Sequence, residues 1–215
     1  MRIPLFKITL PAFLALFLGV FPQLFSIATA DVVLLYDFDD QNGQFTLDPE
    51  LADPALTPLE WQVQSSSLRD FGGNPGRAMA SSGFSQANAF ELTVGVTAGQ
   101  VLSLDSIAFD QLASSSGPNA WQLLVNGDAV ATGSTTSSYT AATADLALAP
   151  FSEAFTVSIF ASGASSNRGT FRVDNFTVAG SLQPVPLPPA LPLMVTSMLG
   201  LYAVRRRKSS PRVKS

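Results

Sequence analysis

Between residues 31 and 181 apolar and polar positions alternate with a period of two in run after run, the mark of half-buried strands. The clearest run is Phe90-Glu91-Leu92-Thr93-Val94-Gly95-Val96, which puts Phe90, Leu92, Val94 and Val96 on one face. Phe155 to Ile159 repeats the pattern. Val32 to Phe38, Trp61 to Val63, Trp121 to Val125 and Phe171 to Val178 read as further strands. Val101 to Phe109 starts with Leu102 and Leu104 inward, then changes phase to Ile107 and Phe109, which predicts a β-bulge near Asp105-Ser106. Asn126-Gly127 predicts a tight hairpin with Ala129 to Ala131 as its return strand, and Gly72-Gly73-Asn74-Pro75-Gly76 a longer turn. No segment of this region holds a helical period. Many short strands between turn signals predict an all-β fold, a β-sandwich.

The two ends break this pattern. Arg2 and Lys7 precede an apolar run from Ile8 to Ile27 that closes on Ala28-Thr29-Ala30, so residues 1–30 read as a signal peptide cleaved at Ala28 and Ala30 to leave Asp31 first. An uncleaved signal anchor is the competing reading, and Pro11 and Pro22 weaken a continuous helix there. At the other end a proline-rich stretch (182–192) is followed by the uncharged run Leu193 to Val204, and then by Arg205, Arg206, Arg207 and Lys208. Residues 193–204 read as the core of a transmembrane helix starting as early as 188, and 205–215 as a basic cytoplasmic tail. From Ala190 to Val204 that helix would reach only about 22 Å at ~1.5 Å per residue. A hydrocarbon core is ~30 Å thick, so the span is short and relies on snorkelling arginines.

Charge sharpens this division. All 16 acidic residues lie between Asp31 and Asp174, whereas eight of the 12 basic ones sit at the ends. The body keeps Arg69, Arg77, Arg168 and Arg172, so 16 acids against four bases leave it at −12. Such a surface repels phosphate backbones and argues against nucleic acid as a partner. The chain has no Cys and no His, which excludes a disulfide framework, thiol chemistry, Ser-His-Asp triads and the usual zinc sites. About 150 residues remain once the ends are set aside, enough for one domain with a core of its own.

The order Val185-Pro186-Leu187-Pro188, short apolar helix, Arg205-Arg206-Arg207 resembles the PEP-CTERM sorting signal, most closely its Val-Pro-Leu-Pro-Ala variant. That resemblance implies export, an inner-membrane intermediate, a membrane-embedded exosortase as the partner that processes the tail, and a final place at the cell surface or outside the cell. Leu187 replaces the Glu of the parent motif and Pro189 stands where the variant has Ala, which leaves the particular sorting enzyme open. A permanent single-span anchor is the alternative. The body is similar to the jelly-roll domains found in front of such tails, through Gly73-Asn74-Pro75-Gly76-Arg77-Ala78, Phe109-Asp110-Gln111 and Gly169-Thr170-Phe171-Arg172-Val173-Asp174-Asn175-Phe176. Residues 31–181 would then be a jelly-roll-like sandwich.

In jelly-roll modules of that kind a structural calcium ties the first strand to the last, and the resemblance assigns Asp37, Asp39, Asp40 and Asp174 to it. The competing reading is that Asp39 and Asp40 are turn formers ahead of Gln41-Asn42-Gly43. For glycan stacking the candidates are Trp61, Trp121 and Tyr139; Trp121 alternates with Leu123 and Val125 and fits the core better, and Tyr139 is the one expected to be exposed. A glycosidase would need two carboxylates across a cleft, and nothing pairs Glu60, Glu91 and Glu153. Asn175-Phe176-Thr177 matches a glycosylation sequon but falls inside a predicted strand. The leading expectation is a non-enzymatic exported surface or matrix protein contributing to an extracellular polysaccharide layer. A carbohydrate-binding module is the alternative, and a hydrolase comes third.

Overall fold

The computed structural model describes residues 31–64, 66–84 and 88–185. Over these the chain is all-β, with the strands β1 (Asp31–Tyr36), β2 (Leu51–Ala52), β3 (Leu56–Pro58), β4 (Gln62–Val63), β5 (Arg69–Gly72), β6 (Arg77–Ser82) and β7 (Asn88–Val96). They are followed by β8 (Gln100–Ala113), β9 (Ala120–Val125), β10 (Asp128–Ser134), β11 (Thr140–Asp145), β12 (Phe155–Ser162) and β13 (Thr170–Pro184). One sheet runs β11-β8-β13-β1-β2, with β6 also on β13 and β5 on β6. The other runs β10-β9-β12-β7-β3, with β4 also on β7. Every pairing is antiparallel.

The inward residues of both sheets close on one apolar core. Phe90, Leu92 and Val94 of β7 and Phe155, Val157 and Ile159 of β12 are buried as the alternation requires. Rings join the layers: Phe90 of one sheet stacks on Phe171 of the other at 6.0 Å, and Phe109 meets the Trp121 indole edge-on at 5.2 Å. The change of phase in β8 is a bulge. Ala179 pairs with Ser106 and Gly180 with Leu104, so Asp105 is the extra residue and the apolar set returns to the core as Ile107 and Phe109. Asn126 and Gly127 take φ 51° and 88°, the left-handed pair a two-residue hairpin needs, and β10 runs on to Ser134, beyond the predicted Ala131.

Strand β13 also outruns its prediction. It stays paired as far as Pro184 opposite Gln100, and the Val185 N–H donates to the Gly99 carbonyl at 2.9 Å. The first three residues of the expected linker, 182–184, are therefore strand, and the folded body reaches the first residue of the Val185-Pro186-Leu187-Pro188 motif. Pro186, Leu187, Pro188, Arg205, Arg206 and Arg207, the signal residues Ala28 and Ala30, and the predicted membrane helix lie outside the described residues. Among the described residues no helix is long and apolar enough to cross a membrane.

Candidate functional site

A second bulge, in β13, builds the most polar buried spot. Asp174 pairs with Asp110 but Thr177 pairs with Ala108, so β13 carries one residue too many, and Asn175 turns to φ 47°. The alternation fails there: Val173 faces the core while Asp174, fully buried, lies under the β5–β6 loop. Its carboxylate accepts the Asn74 N–H at 2.5 Å and the Asn175 N–H at 2.8 Å. The Asn175 amide donates to Asp110 at 2.9 Å and to the Asn74 carbonyl at 2.8 Å. Burial pushes the Asp174 pKa up to about 6; the two N–H bonds oppose that, and the charges of Asp110 and Asp39 add to it.

Two glycines let the loop settle onto these carboxylates. A Cβ on Gly73 would stand 2.6 Å from Asp174 Oδ2, and one on Gly76, already at φ 78°, would fall on the Asp39 carboxylate. Asp39 Oδ1 is buried with no hydrogen-bond partner. Of the four aspartates assigned to calcium, then, Asp39 and Asp174 share one electrostatic neighbourhood with Asp110, which the resemblance had not assigned. Asp37 accepts the Asp39 N–H at 3.2 Å. Asp40 is exposed and organises its own turn, accepting the Asn42 and Gln44 N–H groups at 2.8 and 2.7 Å; these bonds hold its pKa low. The oxygen donors and the orphaned Asp39 Oδ1 suit a hard cation in kind. They fall short in number, because no group of three or more His, Cys, Asp or Glu that could hold a metal ion is present among the described residues.

Of the aromatic candidates, Trp121 lies in the core as its alternation predicts, and Trp61 is buried as well. Trp61 is 2% exposed and Trp121 9%, so neither offers a face for stacking. Trp61 is enclosed by Tyr36, Phe38 and Phe176. Trp121 lies against Gly133 on the neighbouring strand, where a Cβ would come within 2.5 Å of the indole. Tyr139 is half-buried, and its hydroxyl donates to the Gly72 carbonyl at 2.6 Å. Arg172 Nη1 donates to the same oxygen at 3.3 Å while its guanidinium covers the Phe71 ring at 4.6 Å. These contacts tie the Tyr139 hydroxyl and Arg172 to the β5–β6 loop.

Phe160 is a part-exposed ring on a sheet face. On β12 the inward set Phe155, Val157, Ile159 and Ala161 leaves Thr156, Ser158, Phe160 and Ser162 on the outer face of the six-stranded sheet. Phe160 sits opposite Gln122 of β9, and Gln122 opposite Thr132 of β10. Beside that row, Ser162 faces Ala120 and Ala120 faces Ser134. Together with Trp121 and Gly133 on the same strands they line a shallow depression of about 450 Å³. An apolar ring surrounded by hydroxyls and a carboxamide is the lining expected for a small polar ligand with one apolar face. The signal is present in the sequence as one aromatic on an otherwise Ser/Thr face. The predicted strand ends at Ile159, one residue short of it.

The carboxylates considered for hydrolysis stand on connections and one strand. Glu60 and Glu153 are exposed in the β3–β4 and β11–β12 connections, and Glu91 on β7 accepts the Gln64 side-chain amide at 2.7 Å. No protein-family model matches the chain, and no curated protein matches it. Among solved structures it is similar to the CBM22-1 xylan-binding domain of Xyn10C from Paenibacillus barcinonensis, at 13% identity over 71% of this chain and 96% of that one, with a TM-score of 0.45. It is also similar to the family 11 carbohydrate-binding module of Clostridium thermocellum in complex with a β-1,3-1,4-mixed-linked tetrasaccharide, at 14% identity over 70% and 96% of the two chains and a TM-score of 0.38. A mutant of the CBM29-2 module, complexed with mannohexaose, is 15% identical over 71% and 93% of the two chains, with a TM-score of 0.43. These likenesses are distant, and no function is transferred from them.

Proposed function

We propose that the chain is an exported, non-enzymatic carbohydrate-binding module of jelly-roll type, with the outer face of the six-stranded sheet as its glycan platform. The observation that carries this reading is Phe160 held opposite Gln122 in the depression among Thr132, Ser134 and Ser162. A pyranose ring is amphipathic: its C–H face stacks on an aromatic ring while its hydroxyls reach amides and hydroxyls at the rim. Replacing Phe160 by alanine should cost about 1–2 kcal/mol of binding, roughly 5- to 30-fold in affinity. The ring is part-exposed, so the fold should lose only ~1–2 kcal/mol. Retardation of wild type and F160A in gels containing soluble xylan, mixed-linkage β-glucan or galactomannan tests it. Equal retardation of the two proteins would remove Phe160 from the site.

Export and sorting join the proposal through the Ala28-Thr29-Ala30 cleavage signature and the Val185-Pro186-Leu187-Pro188 to Arg205-Arg206-Arg207 tail. Processing within Val185 to Pro188 would remove no strand, because the last paired residue is Pro184. The mature protein recovered from cells should therefore begin at Asp31 and have an intact mass that ends between Val185 and Pro188. A mass running through Ser215 would make the tail a permanent anchor.

A further inference from the structure

We infer that the glycan taken by this face is uncharged, and that Glu91 is the residue that turns acidic polysaccharides away. The inference rests on the glycan reading above and adds its substrate class. Among the strand residues of the six-stranded sheet the only ionisable side chains are Glu91 and Asp128; there is no Lys or Arg. Arg69 and Arg77 stand on β5 and β6 and Arg172 on β13, all in the other sheet, and Arg168 lies in the β12–β13 connection. Arg77 is paired with Asp70 at 3.1 Å, and Arg172 is spent on Gly72 and Phe71. Uronate, sulfate and phosphate groups are recognised by charged donors, which this face lacks.

Glu91 supplies the opposite sign at the platform itself. It points outward from β7 opposite Ser158, while Phe160 is opposite Ala89, so the two are diagonal neighbours about 7–8 Å apart. The Gln64 amide, at 2.7 Å, fixes the carboxylate in place, and the exposed Gln62 stands directly across from it on β4. A polymer lying across Phe160 brings its ring substituents against this fixed charge. A uronate there meets a like charge with no cation to offset it, a penalty of roughly tenfold in affinity. The body's net −12 adds a general field, but at 0.15 M salt that field is screened beyond ~8 Å and the local carboxylate remains.

Gel retardation of the full chain in mild detergent, at 0.15 M salt, separates the possibilities. The neutral probes are xylan, mixed-linkage β-glucan and galactomannan, and the acidic one is alginate. Wild type should bind at least one neutral polymer about tenfold or more better than alginate. E91Q, and independently Q62K with a cation beside the intact Glu91, should each narrow that ratio by about tenfold. Wild-type binding to alginate as strong as to every neutral polymer overturns the inference and leaves the glycan reading standing. So does a ratio unchanged in both variants. Binding to none of the four polymers overturns the glycan reading itself.

Discussion

Replacing Phe176 by alanine is expected to remove about 3–5 kcal/mol of stability, a melting-temperature loss of about 10 °C. Phe176 is fully buried on β13, where its ring meets the Trp61 indole edge-on at 4.9 Å and Tyr36 at 6.3 Å. Tyr36 and Trp61 are themselves 5.7 Å apart, and Phe38 stacks on Tyr36 at 5.8 Å. These four rings come from β1 and the residues after it, from β13 and from the segment entering β4, so they join the two sheets at one end. Rings that brace one another cannot collapse into a vacated space, which puts the truncation at the costly end of its range. The same chemical change at half-buried Phe160 should cost only ~1–2 kcal/mol. Thermal melts of the two variants side by side check this. A loss for F176A no larger than for F160A would show that the ring box is not the joint between the layers.

That box marks where pattern reading stops. Strands β7, β9 and β12 were legible because each alternates large apolar with polar residues, and the slip at Asp105 was legible because it shifts an apolar set from Leu102 and Leu104 to Ile107 and Phe109. Strand β6 was not, since in Arg77–Ser82 Ala78, Met79, Ala80 and Ser81 are buried in succession, one face by the core and the other by the Phe71–Arg172 cover. Strand β11, Thr140–Asp145, buries only Ala142 and Ala144, side chains too small to stand out against Thr and Ala. Trp61 to Val63 reads as a strand, but β4 has only two residues and Trp61 stands just before it, so its burial comes from partners distant in sequence rather than from the alternation. The candidate site shows the same divide. Asp39 and Asp174 were picked out through the jelly-roll resemblance, but their meeting with Asp110 depends on the β13 bulge and the two loop glycines, a three-dimensional event with no local signature.

The proposed glycan face and the acidic seat lie on different sheets, so they can be perturbed apart. One consequence is that the outer face of the six-stranded sheet can be altered at Phe160, Glu91 or Gln62 without touching the loop that Asp174 holds. Another is that stability should answer to pH through the seat while the platform's own ring and amides do not titrate.

In chelator the protein should therefore become less stable as pH rises from about 4.5 to 7. Asp174 has a folded pKa of about 6 against an unfolded value of 3.8, so the folded state binds the proton more tightly. Between those values stability falls with rising pH, and above 6 the full burden of the buried charge is present, about 3 kcal/mol. Burial is the main cause; the Asn74 and Asn175 N–H bonds oppose it, and Asp110 and Asp39 add to it as like charges. Asp174→Asn carries no charge at any pH and should flatten the profile, whatever its own stability. An unchanged fall in D174N would assign the effect to other carboxylates. Calcium gives the converse signature: an ion drawn to Asp39 and Asp174 would keep Asp174 ionised and raise the melting temperature at pH 7, with little effect at pH 4.5 where Asp174 is protonated. No difference between calcium and chelator at pH 7 would leave the loop held by hydrogen bonds alone, with the orphaned Asp39 Oδ1 as a standing cost rather than a ligand.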